Sequence, residues 1–478
     1  MALSLQEPEI LAAELISRKE HVVPGQLLVT EFFFQVPLDH RNPSAGTITL
    51  FGRSATKHEV PIFAPDEPSS PKPYLVYLEG GPGFGNREPQ DHPLTRPALA
   101  RGYQVLYLDH RGVGLSTPVS AEMLARIPGG SGPDAADVQA KYLEHMRQDN
   151  TVRDCEAVRK CLTKDWPEHK TPWSIFGQSY GGFISISYLS LHPKGLREVY
   201  LTGGLAPVGK TPDQVYEATF RKTIERNVAY FSKFPEDAEI LGQLATYIQQ
   251  NGGGSGIPLP AGGFLTVPRL LTLGIRLGYH GGVDHVHSTL VQLKASLDQH
   301  GFFNRPSLSI LEGVIPFDTN IIYAILHEAI YCDGLTSNWA ANRVGGNLQE
   351  FQWLNLDAPP ITSTSDQHLF FSGEMVFPFH FDTYPELIPL KAAAEKLATK
   401  SDWPALYDQD QLRKNEVPVY AVSYIEDMFV EYELARDTAR MIKGTKTFET
   451  NVMYHTALQA KGEEVITALF NLRDDTLD

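Results

Sequence analysis

A serine set among glycines, Gly177-Gln178-Ser179-Tyr180-Gly181-Gly182, follows the apolar run Trp173-Ser174-Ile175-Phe176 and precedes Phe183-Ile184-Ser185-Ile186-Ser187-Tyr188. The pattern predicts a short strand, a tight turn and a helix, with the hydroxyl lifted at the turn in a G-x-S-x-G elbow. Serine is a weak nucleophile unless a histidine takes its proton and a carboxylate orients that histidine. After such an elbow the partners follow along the chain as acid and then histidine, each on a loop past a late strand. The strand expected over 417–423 runs into Tyr424-Ile425-Glu426-Asp427-Met428-Phe429, and the last strand, ending at Met453, runs into Tyr454-His455-Thr456. No histidine follows His380 except His455, which makes it the candidate base. Asp427 is preferred over its neighbour Glu426 because the shorter side chain is the more rigid. Asp427 or His455 alone would read as a surface or packing residue; the order and the placement past strands single them out.

The elements that position these groups alternate. Tyr74-Leu75-Val76-Tyr77-Leu78 is continuously apolar, as a buried parallel strand requires. It ends in Glu79-Gly80-Gly81-Pro82-Gly83-Phe84-Gly85, where glycines let backbone N–H groups approach a bound group, as an oxyanion-hole loop requires. A second strand over 103–108 ends in Asp109-His110-Arg111-Gly112-Val113-Gly114-Leu115-Ser116, with Asp109 and Arg111 expected to pair and brace the loop. His110 precedes the nucleophile and reads as a bracing residue rather than the base. A helix over 150–162, the elbow strand, its helix and a strand over 198–201 complete a mostly parallel sheet covered on both faces. Ahead of them, residues 1–25 read as a helical arm. The β-type stretches 26–36 and 46–52 read as a hairpin around Pro37-Leu38-Asp39-His40-Arg41-Asn42-Pro43. From 206 to about 405 the alternation lapses into helical sequence, an inserted cap. It returns with the strands 417–423 and 445–453 and a helix over 463–472. The expected organisation is therefore 1–205 and 406–478 as core and 206–405 as cap.

A length of 478 residues suits two structural units or one large domain with an insertion. The net charge of −16 argues against nucleic acid, which requires clustered Lys and Arg. Cys155, Cys161 and Cys332 cannot all pair and read as reduced thiols. The N-terminus lacks a basic segment followed by an apolar one, and no apolar run approaches membrane-spanning length, so a soluble, cytoplasmic protein is the expectation. His280, His285 and His287 cluster near glycines without an accompanying acid or cysteine spacing. They read as a solvated loop, and neither a metal nor another cofactor is expected.

The combination Gly80-Gly81-Pro82-Gly83, Asp109-His110-Arg111-Gly112-Val113-Gly114-Leu115-Ser116 and Gly177-Gln178-Ser179-Tyr180-Gly181-Gly182, with Val36-Pro37-Leu38-Asp39-His40, resembles the proline iminopeptidases of the α/β-hydrolase fold, in particular their larger, long-cap subgroup. The resemblance implies that Ser179 attacks the carbonyl of an N-terminal proline, with His455 as base and later acid and Asp427 holding the imidazole. It implies an oxyanion hole from the N–H groups of Gly81 and Tyr180. Cap carboxylates would bind the substrate's free amine. A protonated amine leaving water needs an anionic partner, and two cap segments offer one: Glu328 in His327-Glu328-Ala329-Ile330-Tyr331 and Glu374 in Phe370-Phe371-Ser372-Gly373-Glu374-Met375-Val376-Phe377. A helix-surface carboxylate is the ordinary alternative for either. Two positions depart from the family pattern: Glu79 stands where histidine is usual, and Tyr454 where a glycine commonly precedes the catalytic histidine. The expected partner is a peptide or small molecule with a free N-terminus. A serine esterase or thioesterase of the same fold, and a non-catalytic binding protein, are the alternatives.

Overall fold

The structure, a computed structural model, describes residues 7–59, 70–355 and 369–475. Its main sheet is built from β1 (Glu14–Val23), β2 (Leu27–Pro37), β3 (Thr47–Lys57), β4 (Tyr74–Leu78), β5 (Gln104–Leu108), β6 (Trp173–Gln178), β7 (Leu196–Thr202), β8 (Val419–Tyr424) and β9 (Thr445–Thr450). They lie in the order β1-β2-β3-β5-β4-β6-β7-β8-β9. The first three are a meander, with β3 also antiparallel to β5. From β5 through β4, β6, β7 and β8 to β9 every pairing is parallel. Parallel neighbours need crossovers, and α1 (Gln148–Leu162) and α2 (Tyr180–Leu191) lie on connections that supply them.

Burial of both sheet faces explains the unbroken apolar runs. In β4, Leu75 and Tyr77 pack with Val105, Phe176 and Tyr200 against the C-terminal helix α5 (Gly462–Asp474) through Leu469 and Phe470. Val76 and Leu78 point the other way, into the core with Ile175, Val199, Ile184 and Val158. Successive side chains of a strand alternate between faces, so a strand covered on both sides must be apolar throughout.

Between β7 and β8 the described chain adds no strand to this sheet. It begins with α3 (Pro212–Lys233), started by a capping box between Thr211 and Gln214, and α4 (Asp237–Asn251). Shorter helices follow, with one small hairpin pairing Ile257–Pro258 with Phe264–Leu265.

The N-terminal segment differs from the helix expected over 1–25. Residues 1–6 lie outside the described residues, and Glu14–Val23 forms β1, antiparallel to β2. Leu11, Ala12, Leu15 and Ile16 have helix-like spacing, but nearly all of β1 is exposed, so no buried face selects its conformation. The free edge of β2 does, by offering a backbone ladder.

Candidate active site

The elbow is built by close packing of backbone. Ser179 follows β6 with φ 54° and ψ −122°, a strained conformation for a residue with a side chain. A Cβ on Gly181 would lie 1.9 Å from the carbonyl oxygen of Leu78, and one on Gly182 2.2 Å from that of Gly204. Only glycine lets the first turn of α2 sit this close to the ends of β4 and β7. The amide of Tyr180, the first residue of α2, has no intrahelical acceptor and lies at the positive end of the helix dipole.

Around this turn the structure brings Ser179, His455 and Asp427 together. Ser179 Oγ lies 2.8 Å from His455 Nε2, and His455 Nδ1 lies 2.7 Å from Asp427 Oδ2. Asp427 Oδ1 accepts from the amides of Phe429 at 2.8 Å and Val430 at 3.1 Å, which fixes the carboxylate. Glu426 turns away, with its carboxylate 3.7 Å from Lys222 Nζ. Burial disfavours a charged His455, but the adjacent Asp427 carboxylate outweighs it, Glu374 adds to it, and the imidazole pKa is raised above 6.5.

The glycine loop after β4 presses on Ser179: a Cβ on Gly80 would stand 3.1 Å from Ser179 Cβ. Gly81 has φ 118°, a conformation suited to glycine. Glu79 is held by the amide of Gly80 at 2.8 Å and by the Tyr77 hydroxyl at 3.2 Å. Removal from bulk water raises its pKa. The same Tyr77 hydroxyl reaches Gln178 Oε1 at 3.3 Å, so the loop and the elbow share one donor.

The loop after β5 is braced differently from the expected Asp109–Arg111 pair. Asp109 accepts from Asn86 N at 2.8 Å and Leu115 N at 3.0 Å. Arg111 instead makes a bidentate contact with Asp154 of α1, at 2.7 and 2.6 Å, and Asp154 also holds His40 at 2.7 Å. A planar guanidinium finds a better match in that buried carboxylate than in a neighbour already committed to two backbone amides. His110 is buried and does not line the cavity beside Ser179; its ring is edge-on to Tyr180 and its pKa is lowered by burial to about 4.

Above the serine lies a cavity of about 560 Å³, walled by Ser179, His455, Gly81, Phe84, Tyr279, Tyr323, Phe429 and Glu374 among others. Glu374 accepts from the Tyr323 hydroxyl at 2.5 Å. Glu328 does not line this cavity. It is buried, and its carboxylate accepts from the amides of Ala340 at 3.2 Å and Ala341 at 2.9 Å at the start of the helix Ala340–Gly346. Burial raises its pKa to about 7 against the opposing effect of those amides. Tyr216 carries a buried hydroxyl without a partner and feels the charges of both Glu328 and Glu374. Sequence reasoning missed Tyr279, Tyr323 and Tyr216. The one available signal was at Tyr323, a polar-tipped residue inside the otherwise apolar run Ile321–Leu326. The histidine cluster separates: His287 leaves the loop to join Asp237 of α4 at 2.9 Å, while His280 lies on the cavity wall.

A mostly parallel sheet with a serine elbow, and a histidine and acid delivered after its last strands, define an α/β hydrolase of the serine type. The alpha/beta hydrolase fold family profile matches residues 73–249. The chain is similar to the proline iminopeptidase aneH of Aspergillus aculeatus, 38% identical over 474 residues and covering 99% of both chains. It is also similar to the proline iminopeptidase of Aeromonas sobria, 40% identical over 456 residues and covering 95% of this chain and 99% of that one. The chain belongs to the proline iminopeptidase family.

Proposed function

We propose that this protein is a serine aminopeptidase that releases N-terminal proline from peptides through an acyl-enzyme. The observation that carries the reading is the presence of the Glu374 carboxylate and the Ser179–His455 pair on the wall of one cavity. A substrate amine held by Glu374 is a fixed reach from the serine, so the enzyme acts on the first residue only. Tyr279, Tyr323, Phe84 and Phe429 supply aromatic surface for a pyrrolidine ring. Glu328 is assigned an indirect part: when ionised, its charge acts on Tyr216 and Tyr331. Residues 206–405 are assigned to the cap that carries both glutamates.

In the reaction Ser179 Oγ attacks the prolyl carbonyl as His455 Nε2 takes its proton. The N–H groups of Gly81 and Tyr180 donate hydrogen bonds to the developing oxyanion, contacts worth about 3–4 kcal/mol each in comparable sites. His455 then delivers the proton to the departing peptide amine, leaving the prolyl ester on Ser179. A water activated by the same imidazole completes the hydrolysis. Asp427 keeps the ring in the tautomer this sequence requires.

The test is hydrolysis of Pro-, hydroxyproline-, Ala- and N-acetyl-Pro-arylamides by the wild-type protein. Cleavage of the free-amine prolyl substrate with loss of the N-acetyl one is expected. Equal cleavage of both would sink the aminopeptidase reading and leave an esterase-like hydrolase.

A further inference from the structure

We infer that His280, from the chain between β7 and β8, is a positioning residue that holds the loop carrying His455. Its backbone N–H donates to Thr456 Oγ1 at 3.1 Å, and its ring Nε2 accepts from the backbone N–H of Tyr454 at 3.0 Å. The two bonds grip the residues on either side of the catalytic imidazole. Asp427 fixes the direction of that ring; His280 fixes the backbone on which the ring is mounted.

The bond to Tyr454 specifies the chemical state of His280. An imidazole nitrogen that accepts a backbone N–H is unprotonated, so the ring is neutral with its proton on Nδ1. Burial and the Lys461 ammonium lower its pKa, while His455 titrates above 6.5. His280 therefore remains an acceptor throughout the range in which His455 serves as base. Packing supports the same contact. The His280 and Tyr454 rings meet edge-on at 5.1 Å and 80°, and the Arg226 guanidinium covers Tyr454 at 4.8 Å. The tyrosine that stands where the family commonly has glycine is thus held by two cap residues. The proposed cap, 206–405, which holds Glu374, also sets the position of the base through His280 and Arg226, so a displaced cap would detune the 2.8 Å contact between His455 and Ser179. Misplacing a reacting group by about 1 Å costs on the order of a hundredfold in rate.

The inference rests on His455 acting as the base, and two substitutions separate the acceptor from the packing. His280→Phe keeps a ring against Tyr454 without an acceptor; His280→Gln keeps an acceptor without a ring. Each is assayed with a prolyl arylamide and with a small p-nitrophenyl ester that does not use Glu374. Thermal midpoints and active-site labelling by a fluorophosphonate correct for unfolded material. His280→Phe is expected to lose roughly tenfold or more in kcat on both substrates with KM little changed, and His280→Gln to retain most of the activity. Wild-type kcat in His280→Phe, equal loss in both variants, or a change confined to KM for the prolyl substrate would overturn the assignment. A wild-type protein inert toward both substrates would overturn the triad reading and this inference with it. An active wild type with an unimpaired His280→Phe overturns this inference alone.

Discussion

Among single residues, the proposed chemistry depends on charge held near His455. Asp427 raises the imidazole pKa above 6.5, and only the neutral ring can take the serine proton. kcat/KM is therefore full at higher pH and falls as pH drops through a value above 6.5. Asp427→Asn removes the raising charge and the tautomer lock. It should move that acid limb downward and lower kcat by about 10⁴-fold, read from a pH–rate profile. Glu374 contributes to the same pKa and, on the proposed reading, pairs with the substrate ammonium. Glu374→Gln should raise KM for a prolyl arylamide by roughly a hundredfold, the consequence of leaving a desolvated amine unpaired. It should leave hydrolysis of a small neutral ester close to wild type. An equal loss on both substrates would place Glu374 in the scaffold rather than against the amine.

At the scale of elements, the elbow is a junction of three backbones. The start of α2 lies against the carbonyls of Leu78 at the end of β4 and Gly204 just past β7. Gly182→Ala puts a Cβ 2.2 Å from the Gly204 carbonyl oxygen, a clash with backbone that no rotamer relieves. The expected result is destabilisation of about 1–3 kcal/mol by urea unfolding, together with loss of activity beyond the unfolded fraction, because the serine must move with the helix. The strand, turn and helix were legible at these positions because glycine spacing and an apolar run are local signals. β1 was not, since its conformation is selected by the open edge of β2 and not by its own side-chain pattern.

At the scale of the whole molecule, buried charge ties distant segments together. Asp154 of α1 receives Arg111 from the loop after β5 and His40 from the turn after β2. Asp154→Ala would strand a buried guanidinium and should cost roughly 3–5 kcal/mol of stability in denaturant unfolding. Because this network stands apart from the cavity wall, the acid limb of the folded fraction should remain where it is in the wild type. A shifted limb would mean that the network reaches the active site.

The amino-acid sequence alone specified the serine elbow, the order of its acid and histidine along the chain and the glycine loop after β4. Each of these depends on residue type, short-range spacing or position past a strand. It also sufficed for the parallel core, because strands buried on both faces must be apolar throughout. It took the tertiary structure to show that Asp427 and not Glu426 reaches His455, that Glu374 lines the cavity while Glu328 is occupied by a helix start, and that His280 touches the loop bearing His455. Those outcomes turn on a few ångströms between residues far apart in the chain. Neighbouring carboxylates of one sequence segment differ there only in which way the backbone points them.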